Sequence, residues 1–197
     1  AEDFEKKFGY DIRDRLPSIF EGSTTEDQQV RVDYGDWLSD RFANAYLGEI
    51  QEWCHANKVL SLFEPDNDDD IRISSNSNGC GHLLRALRKC DIPADDTVWR
   101  QIFPGFNPNA PGEPFAGHGS QLFFPKYPAT VAHQGGMPQV FCESFGVYGT
   151  GLTPEQMKWV TNFEFVRGIN VIQFMEYTAV TRDFLRVTER PIFHPAS

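Results

Sequence analysis

PQVFCESFGVYGTGLTPEQMKWVTNFEFVRGINVIQFM, residues 138–175, decides the fold. It opens on a short apolar run at strand length, PQVFC (138–142), and closes on another, INVIQFM (169–175). Between them, TPEQMKWVTNFEFVRG (153–168) carries helix end signals. Thr153 suits the N-cap, Pro154 the first helical position, Glu155 the first turn, and Gly168 stands past the end. Both flanking runs are nearly continuous apolar, as parallel strands covered on two faces should be.

The same alternation runs upstream. Residues 1–32 are polar, with a short helix expected near Asp11–Phe20. In DYGDWLSDRFANAYLGEIQEWCHANK (33–58), Leu38, Phe42, Ala45, Ile50 and Trp53 recur near helical spacing, which predicts a long amphipathic helix closed by Asn57-Lys58. VLSLF (59–63) has strand length, and CGHLLRALRKC (80–90) places Leu83, Leu84 and Leu87 on one helical face. DTVWRQIF (96–103) is expected to hold the next strand, and PKYPATVAHQGG (125–136) a helix stopped by Gly135-Gly136. The stretch 104–120 is too rich in Pro, Gly and Asn for regular structure. No short-period repeat is present. Helix then strand, repeated four times, implies a parallel sheet with helices outside.

The segments that leave strands (64–79, 100–125 and 143–152) are longer than those that leave helices. In parallel α/β folds, such loops gather at the carboxyl ends of the strands, where active sites sit. Glu143 is delivered to that end by QVFC, with Ser144, Phe145, Gly146, Tyr148 and Gly149 expected to form a rim. Glu64 ends VLSLF in the same way, and Glu176 follows INVIQFM.

A carboxylate in such a place can act as acid, base or nucleophile, and glycoside hydrolysis generally uses two. The plain alternatives are that Glu143 caps the following helix or pairs with an arginine, and that Glu64 is a surface glutamate. Loop aromatics, Trp99, Phe145 and Tyr148 among them, suit stacking on sugar faces, and His118 is a polar-contact candidate in a loop. The run DNDDD, Asp66 to Asp70, departs from the calcium-loop pattern. Ile71 stands where Gly is needed and Ser77 where a bidentate Glu belongs, so a solvated acidic loop is expected. No phosphate-binding loop or G-x-S-x-G motif is present, and His82, His118 and His133 share no metal spacing.

Composition narrows the classes. The 197 residues are 40% hydrophobic and 14% aromatic, enough for one globular domain with a core. A net charge of -10 repels phosphate backbones, so nucleic acid is not an expected partner. No apolar run is long enough to span a bilayer, and AEDFEKKFGYDIR contains no apolar signal region. The four cysteines, Cys54, Cys80, Cys90 and Cys142, form no C-x-x-C pair and read as buried thiols.

FEKKFGYDIRDRLPSIF, DIPADDTVWRQIFPG, FPKYPATVAHQGG and ESFGVYGTGLTPEQMKWVTNFEFVRGIN together resemble the catalytic region of large bacterial glycoside hydrolases. The type is that of the family 106 α-L-rhamnosidases and related family-2-like hydrolases, and the likeness covers most of the chain. It implies a (β/α)8 barrel in which Glu143 is a catalytic carboxylate, with the PKYPATVAHQGG helix and the INVI strand as its neighbours. Relatives carry a His- and Glu-bearing stretch where this chain has LSLFEPDNDDD, which Glu64 matches loosely. The resemblance permits calcium and implies a periplasmic or secreted location.

About four helix–strand units are present against eight in a closed barrel. The expectation is therefore a single α/β domain over 1–197, a partial (β/α)8 TIM-type catalytic barrel whose parent polypeptide supplies the rest. Its function would be hydrolysis of O-glycosyl bonds in a polysaccharide, with Glu143 and Glu64 catalytic and Trp99, His118, Phe145, Tyr148 and Glu176 binding substrate. The alternative is a non-catalytic carbohydrate-binding or structural fragment.

Overall fold

The computed structural model describes residues 1–65, 80–105, 123–149 and 151–175. Four strands, β1 (Leu62–Phe63), β2 (Ile92–Thr97), β3 (Phe141–Ser144) and β4 (Val171–Phe174), form one sheet in the order β1-β2-β3-β4. Every pairing is parallel. Between the strands lie α5 (Leu83–Leu87), α6 (Lys126–Gly135) and α7 (Pro154–Phe165). The alternation in the sequence is thus a sequential parallel βα sheet. Among the described residues it has four strands, and barrel closure is not part of what they display.

Register assigns the two faces, because side chains alternate along a strand and paired residues share a side. Phe63 pairs with Pro93, Asp95 with Cys142, and Thr97 with Ser144. This side is covered by helices. Leu83 and Leu87 of α5 pack with Val131 of α6 and with Phe63, while Ala129 and Ala132 of α6 pack with Cys142. The other side carries Leu62, Ile92, Ala94, Asp96, Phe141, Glu143, Val171 and Gln173. Ala94 is buried, and the other seven are half-buried or exposed.

Helices fill the region before the sheet. α1 (Glu2–Phe8), a 3-10 turn (Ile12–Arg15) and α2 (Leu16–Phe20) lead into α3 (Thr25–Arg41). A π-helical segment (Phe42–Leu47) joins α3 to α4 (Gly48–Ala56). The expected helix at 33–58 starts earlier, at Thr25, because Thr24 and Asp27 form a reciprocal capping box. α1 was not expected from a polar stretch. It forms because Phe4 packs into a small core with Ile12 and Val30, flanked by Phe8, Tyr10 and Trp37.

These helices are tied to the sheet layer. Arg85 of α5 bonds Asp36 at 3.0 Å and Asp40 at 2.6 Å, and the Ser39 hydroxyl accepts the His82 N–H at 2.9 Å. Gly81 lies so close to Ser39 (a Cβ there would meet Oγ at 2.3 Å) that only glycine fits.

One strand assignment needs correction. The second strand is Ile92–Thr97 and not the apolar-looking 96–103. Trp99 and Arg100 take positive φ, 54° and 59°, which ends the extended run. The strand that replaces it, IPADDT, is polar in composition and is held by pairing on both sides. All four cysteines are free and buried. No helix of the described residues is long and apolar enough to cross a membrane.

Candidate active site

Three carboxylates stand on the uncovered face. Asp96 and Glu143 pair in register on β2 and β3. Glu64 follows β1, where the Leu62–Ile92 and Phe63–Pro93 register carries it level with Ala94. β2 therefore runs between the glutamates, at a strand spacing of roughly 4.8 Å on each side. Glu143 is near enough to act on the Glu64 carboxyl through its charge and a side-chain hydrogen bond. On this face of β2, Ala94 stands level with Glu64 and Asp96 level with Glu143.

Burial pushes the Glu64 carboxyl up to about 8, with the charges of Asp96 and Glu143 and the hydrogen bond to Glu143 adding to it. Glu64 is therefore the protonated member of the cluster at neutral pH. A neutral carboxyl donating to a neighbouring carboxylate is the stable form of two acids in contact, because both cannot ionise cheaply at that distance.

The backbone at this end of the sheet is strained. Phe145 and Val147 take φ of 77° and 58°, beside Trp99 and Arg100 on the adjacent strand end. Such conformations in bulky residues persist only where surrounding structure enforces them, and they concentrate at functional sites. Here the Trp99 N–H donates to Gly146 O at 2.8 Å, and the Phe145 N–H to Thr97 O at 2.9 Å. Gly146 is packed against Val98 and Met175, where a Cβ would meet Sδ at 2.4 Å.

The expected residues divide as follows. Glu143 and Glu64 converge on one face, near enough for Glu143 to raise the Glu64 carboxyl. Trp99 is half exposed at the rim. Ser144, Phe145 and Tyr148 are corrected from rim to interior: all three are buried, and Phe145 and Tyr148 share a cluster with Ile102, Phe124 and Val160. The Tyr148 hydroxyl donates to Ile102 O at 2.6 Å. The left-handed turn at Phe145 is what sends its ring inward, below the loop. His118, Glu176 and the acidic run 66–70 lie outside the described residues. Among the described residues, no three His, Cys, Asp or Glu side chains are placed to hold a metal ion.

Sequence reasoning missed Asp96 because it was read as the first residue of an apolar strand. The available signal was the doublet Asp95-Asp96. In a strand, consecutive residues face opposite sides, so one must be buried and the other presented. Asp95 is the buried one, fully enclosed with Thr97, Ser144 and Glu164. Burial raises the Asp95 carboxyl well above the usual range, while the Cys142 thiol favours its charged form and Glu164 opposes it. Among the described residues, neither Asp95 oxygen has a partner at full hydrogen-bond geometry, which fits a weak thiol donor.

No known protein family matches the chain, and neither the curated proteins nor the solved structures contain a match.

Proposed function

We propose that this chain is part of the catalytic barrel of a glycoside hydrolase, similar to the family 106 α-L-rhamnosidase and family-2-like types, acting on O-glycosyl bonds of a polysaccharide outside the cytoplasm. The observation that carries the reading is the Glu64–Glu143 pair at the carboxyl end of a sequential parallel sheet. Four βα units in chain order make up half of an eight-stranded barrel, and further units of the parent polypeptide would cover the open face and pair both edges. The half-exposed Trp99 offers a face for a sugar ring.

Two carboxyls in direct hydrogen bond are nearer than the roughly 5–5.5 Å that separates the groups of a retaining enzyme. The pair therefore acts as one acid: it holds a proton at neutral pH and delivers it to the leaving oxygen. The carboxylate that serves the other side of the sugar is a third group, and Asp96, level with Glu143, is the nearest candidate on this face. In the complete enzyme, Glu143→Gln should lower turnover of an activated aryl glycoside by about 10²–10⁴-fold with little change in melting temperature. Near-normal turnover would refute the assignment. Sugar binding by the unaltered protein without any turnover would favour the carbohydrate-binding alternative.

A further inference from the structure

Glu164 is a carboxyl where an apolar side chain would be ordinary. It lies on α7 four residues after Val160, on the helix face turned to the core, and both residues are fully buried. Burial raises it to about 7, against the hydrogen bonds from Thr97, Ser144 and Cys142 that pull it down. It also sits in the last turn of α7, where the helix dipole disfavours negative charge. Among the described residues, its Oε2 has no partner. Burying a carboxyl under these conditions costs stability, and apolar replacements of such groups are often neutral or stabilising.

What Glu164 does have is a hold on β3. Its Oε1 accepts from the Ser144 hydroxyl at 3.1 Å and lies 3.7 Å from the Cys142 thiol, whose shorter contact is Thr97 Oγ1 at 3.3 Å. Cys142 and Ser144 are the residues immediately before and after Glu143. They face the covered side, and Glu143 faces the open side. We propose that Glu164 is a positioning residue for Glu143: by fixing both of its chain neighbours from behind the sheet, it sets the direction in which Glu143 meets Glu64. This role rests on reading Glu143 as a site residue, but its test requires no turnover.

The test follows the Glu64 carboxyl by carbon NMR through a pH titration of this chain, with thermal melting alongside. Glu164→Leu removes the acceptor at similar volume, and Ser144→Ala removes the donor. In both, the Glu64 midpoint should fall by about one pH unit as Glu143 turns away. Glu164→Gln keeps an acceptor in place and should titrate like the unaltered protein. The proposal fails if the folded Leu and Ala variants leave the Glu64 midpoint where it was. It also fails if the Gln variant moves as far as the Leu variant. Should Glu164→Leu not fold, Ser144→Ala, which deletes one hydroxyl, decides alone. A complete enzyme that turns over no glycoside, while this chain shows the Leu and Ala shifts, would sink the hydrolase reading and leave the positioning role standing.

Discussion

Glu64 and Glu143 stand on one face on either side of β2, and the charge of Glu143 and its hydrogen bond help to raise the Glu64 carboxyl. Level with Glu64 on β2 is Ala94, which is fully buried on a face whose other residues are not. Beyond the two glutamates the strands end in the positive-φ turns at Trp99 and Phe145.

A larger side chain at Ala94 would take up space beside Glu64 on this face. Ala94→Leu should wedge the two carboxyls apart and bring the Glu64 midpoint down from about 8 toward the ordinary glutamate range. Carbon NMR of the carboxyl region checks this, and an unmoved midpoint would mean that the acids meet by another route.

Glu143→Gln should also lower the Glu64 midpoint, because it removes one of the two negative charges that oppose Glu64 ionisation. Asp96→Asn should act in the same direction, since the charge of Asp96 also raises Glu64. The same titration, run on both variants, reads the shifts.

Burial of Glu164 makes stability fall as pH rises. Its folded value of about 7 lies above the ordinary 4.5, so its contribution is fully present below about 4.5 and is lost as pH rises toward 7. At about 1.4 kcal/mol per pH unit, the loss is on the order of 3 kcal/mol. Urea midpoints compared at pH 5 and pH 8 should show it, and Glu164→Gln should shrink the difference, leaving the part that Glu64, raised to about 8, contributes over the same window.

Asp91 works in the opposite sense. Burial opposes its charge, but hydrogen bonds from Ser61, His55 and Gln51 outweigh that and hold it at about 2. It accepts the Ser61 N–H at 2.8 Å, the Ser61 hydroxyl at 2.9 Å and Gln51 at 3.0 Å, joining α4, β1 and β2 at the start of the sheet. Asp91→Ala should cost about 2–4 kcal/mol in urea unfolding at pH 7. The stabilisation by Asp91 is present above its ordinary value near 3.8 and is lost as pH falls toward 2.

Gly146→Ala should destabilise the strand end, because the new methyl group would meet Val98 at 2.8 Å as well as Met175. A drop in melting temperature of several degrees is the expected outcome. A neutral result would show that the Trp99 and Phe145 turns can relax.

The residues alone determined the alternation of helix and strand, the parallel sheet and the strand ends at which Glu64 and Glu143 stand. Those features depend on local signals: apolar runs of strand length, the Thr153 cap, and loops that lengthen after strands. The same signals located Glu64 and Glu143. Tertiary structure decided the rest. Ile92 to Thr97 became the second strand through backbone pairing with both neighbours, which hydrophobicity does not encode. Phe145 and Tyr148 went inside because a left-handed turn reversed their direction, and φ at a bulky residue is not written in its type. The meeting of Glu64 with Glu143, and the hold of Glu164 behind them, arise from register between strands that are far apart in the chain. A one-residue shift in that register would have sent each of those side chains to the opposite face.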